Sequence, residues 1–249
     1  MLRRQNDRLV IVAPWLVAAE GHEQFLDPLP SAMRQMVEQA KVFRLQPMQR
    51  QLTPEASFLG LPPDLVRLAP GPLLVSALRH DPPMDSVQFQ TTLMSLDADG
   101  LARPIASQLG QEEVREVTGQ AKRLDTRTLT FLPGEGTEHA LVWEKGSLDL
   151  GTTTPAELSG KAIKRHLPEG DGEPILRRFI DDSVDLLGDL EINRRREGEG
   201  EPKLNLLWPW GFGFRTPVPN LALRSGEVAQ VHSDSMRLEG LTRLVGHDH

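Results

Sequence analysis

Hydrophobic residues along this chain fall into short blocks, some alternating every second residue as strands do and others recurring at the 3.6-residue spacing of helices. Leu9 to Val12 is a compact β-branched run that predicts a central strand. Behind Ser31, which suits an N-cap, Met33, Met36, Val37 and Ala40 predict a helix, with a strand following near Val42 to Leu45. Val87 to Leu96 alternates, placing Val87, Phe89, Thr91 and Leu93 on one face of a strand. Val114, Val117 and Ala121, set among charges from Gln111 to Lys122, predict a half-exposed helix. Thr126 to Leu132 and Glu138 to Trp143 flank a glycine-rich turn and predict a hairpin. The clearest helix runs from Glu173 to Leu187, with Pro174 in its first turn and an apolar stripe of Ile175, Leu176, Phe179, Ile180, Val184 and Leu187. Leu204 to Trp208 predicts a buried strand, which Pro209, Gly211 and Gly213 end in a turn where the backbone comes close to a neighbour. A last helix is expected from Met236 to Leu244.

Composition narrows the function. The 249 residues suffice for one large domain or two small ones. With 35 acidic residues against 28 basic ones the net charge is −7, which repels a phosphate backbone, so no nucleic-acid partner is expected. No apolar run reaches the ~20 residues of a membrane span. The opening apolar run is too brief for a secretion signal, so a cytoplasmic location is expected and no membrane partner. The lack of cysteine excludes disulfides, thiolate metal sites and cysteine nucleophiles. Trp208 and Trp210 read as core anchors, with direct ligand contact as the alternative. Ser57 reads as a turn hydroxyl, the alternative being a nucleophile, although no base or metal ligand stands beside it. The run Arg194-Arg-Arg196 reads as a solvated face neutralised by nearby glutamates.

Asn205 followed by Trp208-Pro-Trp-Gly211 resembles the Asn-x-x-Trp-x-Trp-Gly signature of the archaeal-type cofactor-independent phosphoglycerate mutases, a branch of the alkaline phosphatase superfamily. Further segments are similar to family motifs: Pro70-Gly-Pro-Leu-Leu74, Ala98-Asp-Gly100, Thr154 to Ile163 and Gly240 to Gly246. The resemblance implies an α/β fold. A truncated alkaline-phosphatase-like core sheet with helices would be built from residues 1–75 and 171–249, interrupted by a smaller α+β middle domain, residues 76–170, with a largely antiparallel sheet.

The resemblance also implies where a ligand would bind. Gln90 and Thr92 stand where the family has a substrate-facing arginine and asparagine, His139 matches a family histidine, and Glu138 replaces an arginine beside it. Gln90, Thr92, His139 and Arg215 are the expected substrate-binding set, and Ser57 is the one weak catalytic candidate. Ala13-Pro-Trp15 follows the first strand where the family carries a metal-binding aspartate, and Ala156-Glu157 replaces a His-Asp pair. The family also continues past the position of Gly246 into a lobe rich in metal ligands, which makes this a shortened and degenerate member. The expectation is a catalytically inactive relative with no metal or cofactor, whose role is binding or regulation toward phosphorylated small acids. Two alternatives stay open. One is an active mutase converting 3-phosphoglycerate to 2-phosphoglycerate with Mn²⁺ or Mg²⁺. The other is a structural subunit whose sheet edge is covered by a partner chain or a second copy.

Overall fold

The structure is a computed structural model, and it describes residues 35, 59, 61, 68–215, 217–226, 230–231 and 233–247. The chain divides into two compact units, Met1–Gln49 and Arg50–His249. Of the first only Gln35 is described, helical and exposed. The strands expected at residues 9–12 and 42–45, the segment Ala13 to Trp15 and the candidate Ser57 lie outside the described residues.

The second unit is organised around one central strand. Val87–Leu96 (β1) is buried on both faces, and its alternation places Val87, Phe89 and Leu93 in one apolar cluster. Glu138–Trp143 (β4) pairs antiparallel with the first half of β1, and Ala102–Pro104 (β2) with its last three residues. Leu206–Gly213 (β7) runs antiparallel to β1 and overlaps both pairings, so it occupies the opposite edge. Leu129–Glu135 (β3) pairs with β4 to complete the five strands. The hairpin between β3 and β4 turns at Gly136, whose φ of 54° is cheap only without a Cβ. A two-stranded ribbon, Leu150–Gly151 (β5) and Glu169–Gly170 (β6), lies apart from this sheet.

Helices cover both faces. On the Phe89 face, Gln111–Ala121 (α2) and Glu173–Gly188 (α4) contribute Val117, Ala121, Leu176, Phe179 and Leu187 to the main core. On the other face, Pro70–Ala77 (α1) brings Leu74, Val75 and Ala77 against Ala140 and Val142. Met236–Leu244 (α7) packs on α1 and adds Met236. The α1–α7 contact is close because residue 240 is glycine: a Cβ there would overlap the Leu73 carbonyl oxygen. Among the described residues there are also short helices at Pro155–Leu158 (α3), Glu191–Gly198 (α5) and Leu221–Ser225 (α6).

Three features differ from the sequence-based expectation. First, β7 does not stop at Pro209 but runs through Gly213. Its outer edge explains the proline: the Leu207 N–H points away from β1 and donates to Ser183 Oγ of α4 at 3.1 Å, and Pro209, two residues on, carries no N–H to leave unpaired there. A bulge then sets Gly211 and Phe212 against one residue of β1, with Gly211 at φ 59° and its Cα facing the Pro70 ring at a separation no Cβ would fit comfortably. The expected close approach is therefore real, but it is a bulged strand rather than a turn. Second, β7 comes from the segment expected in the outer core and β1 from the segment expected in the insert, yet they share one sheet inside one compact unit. The β1–β7 pairing joins segments on either side of the 170/171 boundary, and α1 runs across the 75/76 one. Third, Arg196 is not solvated: it is 4% exposed and bonded to Glu113, Glu201, Ser107 and the Pro202 carbonyl.

Candidate functional site

Of the polar and aromatic side chains Asn193, Asn205, Trp208 and Trp210 at and before β7, three serve the fold. Asn205 extends the β1–β7 ladder with its side chain, accepting from the Leu96 N–H at 2.8 Å and donating to the Leu96 carbonyl at 3.1 Å. Asn193 does the same for the approach to β7, accepting from the Leu204 N–H and donating to the carbonyls of Leu187 and Leu204. Trp208 is fully buried and donates its Nε1–H to the Thr153 carbonyl at 2.8 Å. Trp210 is the exception, half-buried and tied to a polar cluster.

That cluster sits on the face of β1 carrying Gln88, Gln90, Thr92 and Met94. Register places Glu138 of β4 directly across from Thr92 on one side, and Trp210 of β7 across from Gln90 on the other. Two diagonal hydrogen bonds link the four: Gln90 Nε2 donates to Glu138 Oε1 at 3.0 Å, and Trp210 Nε1 donates to Thr92 Oγ1 at 2.8 Å. Gln90 is 2% exposed, and its Oε1 has no donor among the described residues. The expected pair Gln90 and Thr92 is thus brought together, and the only formal charge in the cluster is the Glu138 carboxylate.

His139 does not join them. Neighbouring strand residues point to opposite faces, so Glu138 on the polar face puts His139 in the core, across from Thr91 and against the Phe131 ring at 5.4 Å between centroids. Its Nδ1 accepts from the Gly134 N–H at 3.0 Å, which places the ring proton on Nε2. Complete burial lowers its pKa to about 4, so the ring is neutral at physiological pH. A histidine held neutral and fully buried on this face cannot reach a ligand on the other.

Arg215 is also apart from the cluster. It lies beyond the end of β7, exposed, in an ion pair with Asp81. Both residues line a cavity of about 180 Å³ at the other end of the same sheet face, together with Arg79, His80, Gln88 and Arg243. Apart from Arg215, none of these was singled out as a ligand candidate by sequence reasoning. Only Arg243 stood within a recognised motif, and the convergence of residues 79, 215 and 243 depends on strand pairing and helix packing that no local pattern encodes.

Among the described residues no group of three or more His, Cys, Asp and Glu side chains is placed to hold a metal ion. Glu157, which stands in the resembling family's His-Asp position, is committed elsewhere. Its Oε2 accepts from the Thr154 N–H and hydroxyl in a capping box at the start of α3, bonds that hold its carboxyl below the ordinary range. The described residues therefore do not fit a two-metal centre. No described helix is long and apolar enough to cross a membrane.

Comparison with known proteins agrees with this architecture. The family model described as 2,3-bisphosphoglycerate-independent phosphoglycerate mutase matches residues 71–193. A probable 2,3-bisphosphoglycerate-independent phosphoglycerate mutase of Geobacter sulfurreducens is 28% identical over 165 residues, covering 63% of this chain and 41% of that protein. The enzyme of Methanosarcina barkeri is 28% identical over 178 residues, 69% of this chain and 44% of its own length. The solved cofactor-independent phosphoglycerate mutase of Thermoplasma acidophilum superposes with a TM-score of 0.54 at 20% identity, covering 82% of this chain and 57% of that one, a likeness of fold. An α/β chain with this sheet and these motifs is a phosphoglycerate-mutase-like protein. Over residues 71–193 it is similar to the 2,3-bisphosphoglycerate-independent phosphoglycerate mutase family, and it spans about two fifths of the length of the curated relatives named here.

Proposed function

We propose that this chain is a non-catalytic member of the family, retained for a binding or regulatory role toward phosphorylated small acids. The observation that carries this reading is the Gln90–Glu138 hydrogen bond. At the two positions where the family resemblance leads one to expect arginines, an amide and a carboxylate satisfy each other instead. A phosphate or carboxylate placed within about 4 Å of Glu138 would be repelled by roughly 4 kcal/mol per charge pair at the effective dielectric of a protein surface. Arginines there would contribute attraction of the same order. The cluster is polar but lacks the positive charge that anion recognition needs.

A coupled assay for conversion of 3-phosphoglycerate to 2-phosphoglycerate, with excess Mn²⁺ or Mg²⁺, tests this. No turnover above the uncatalysed background is expected. Turnover that scales with protein and metal and disappears in Ser57→Ala would refute it.

A further inference from the structure

We propose that the cavity bounded by Arg79, Gln88, Arg215 and Arg243 is an anion site that takes a small phosphate-bearing molecule. It deepens the binding role proposed above, resting on that reading only for the class of ligand, and it places the ligand away from the Gln90–Glu138 cluster.

Three guanidiniums from three separate elements meet at this cavity: Arg79 just past α1, Arg215 just past β7, and Arg243 in the last turn of α7. One carboxylate, Asp81, opposes them, and it is paired with Arg215. Arg79 and Arg243 make no ion pair among the described residues. The chain as a whole carries a net charge of −7, so this local excess of positive charge runs against the molecule's own field. Guanidiniums present a planar fork of donors that matches the oxygens of a phosphate, and they stay charged at any physiological pH.

The backbone at Arg79 is the second observation. The α1 helix ends in a Schellman motif: the His80 N–H donates to the Val75 carbonyl and the Arg79 N–H to the Ser76 carbonyl. The residue in the left-handed position of such a motif is ordinarily glycine, but here it is Arg79, at φ 55°. A left-handed conformation is unfavourable for a side chain with a Cβ, so the position carries an arginine against its local preference. Such outliers concentrate at functional sites.

The third observation is Gln88, a residue that lines the cavity while only 1% of it is exposed. Its Nε2 is a buried donor with no acceptor among the described residues. A phosphate oxygen, which only accepts, is the complementary partner. The volume of about 180 Å³ suits inorganic phosphate or a phosphate monoester on a short carbon chain, and it falls below the usual range for larger ligands.

Isothermal titration calorimetry on the full chain, with inorganic phosphate and 3-phosphoglycerate as probes and glycerol as the uncharged control, tests the site. Heat is expected from at least one anionic probe and none from glycerol. Binding of both probes with similar affinity identifies the phosphate group as the recognised part, and binding of 3-phosphoglycerate alone shows that the carboxylate-bearing chain is recognised as well. Arg243→Ala should weaken binding at least tenfold. Arg79→Gly should weaken it by a similar factor while leaving the thermal midpoint unchanged or higher, because glycine relieves the left-handed strain; a merely structural arginine would not separate the two readouts in this way. No heat from either probe at tens of millimolar, or unchanged affinity in both variants, would overturn the proposal. The readout is binding without turnover, so it can fail while the mutase assay stays silent, and the reverse.

Discussion

Replacing Arg196 by Met tests whether the arginine run on α5 is structural. Methionine keeps much of the apolar stem but removes every donor of a group that bridges four partners. Arg196 donates to Glu113 Oε1 at 2.8 Å, to the Pro202 carbonyl at 2.8 Å, and to Ser107 Oγ and Glu201 Oε2 at 3.2 Å each. The Glu201 side chain is 43% exposed and will resolvate, so its loss costs little. Glu113 is different, with its side chain 15% exposed against 5% for Arg196. Breaking such a pair from one side costs about 3–5 kcal/mol, because the remaining charge stays in place without its partner. The Glu113 carboxylate keeps the Gly110 N–H at 2.8 Å, which puts the expected loss near the lower end, about 3 kcal/mol. That is a large part of the ~5–15 kcal/mol typical of a folded domain. Urea unfolding followed by tryptophan fluorescence measures it, and a cycle with Glu113→Gln should return a coupling of at least about 1 kcal/mol. Burial alone would raise the Glu113 pKa, but the Gly110 N–H and Arg196 hold it below its ordinary 4.5. The stability from this pair is therefore present above about pH 4.5 and fades as the pH falls further. A loss under about 1 kcal/mol for Arg196→Met, the level of an exposed pair, would show that the arginine is solvated after all.

Other expectations follow from the same packing. Gly240→Ala should destabilise the chain by about 1–3 kcal/mol, and toward the upper end, because the added methyl meets the rigid Leu73 carbonyl and the Ala77 amide rather than a flexible side chain; a shift in the denaturation midpoint below experimental error would contradict the close α1–α7 contact. His139 is held neutral, with its pKa lowered from 6.5 to about 4, so the folded state resists protonation that the unfolded chain accepts. Its contribution is complete above about pH 6.5 and is lost progressively down to about pH 4, amounting to roughly 3 kcal/mol over that window. Thermal midpoints measured across this range should fall for the wild type and flatten in His139→Gln, and an equally steep fall in the variant would exclude the histidine as the cause.

The elements defined by local pattern were legible in the sequence: the alternation of β1, the hairpin of β3 and β4, the apolar stripe of α4 and the Ser235-capped α7. What was not legible depended on partners. Pro209 and Gly211 carry the local signals of a turn, yet an edge position and a bulge let the strand continue through both. Arg196 carries the signal of a solvated run, yet Glu113 arrives from 83 residues away to bury it. In the expected site, Gln90 and Thr92 were placed correctly on one face, while His139 required only the alternation of β4 to be assigned to the other. The cavity arginines had no local signal beyond the misfit of Arg79 at a helix end, because residues 79, 215 and 243 meet only once β1, β7, α1 and α7 have packed.

The most direct test of a non-catalytic member that still binds anions is phosphorus NMR of 3-phosphoglycerate incubated with the full chain and excess Mg²⁺. The expected result is a single 3-phosphoglycerate resonance that broadens or shifts with added protein and never converts, and whose broadening is lost in Arg243→Ala. Growth of a 2-phosphoglycerate resonance in proportion to protein would contradict it and make the chain a working mutase.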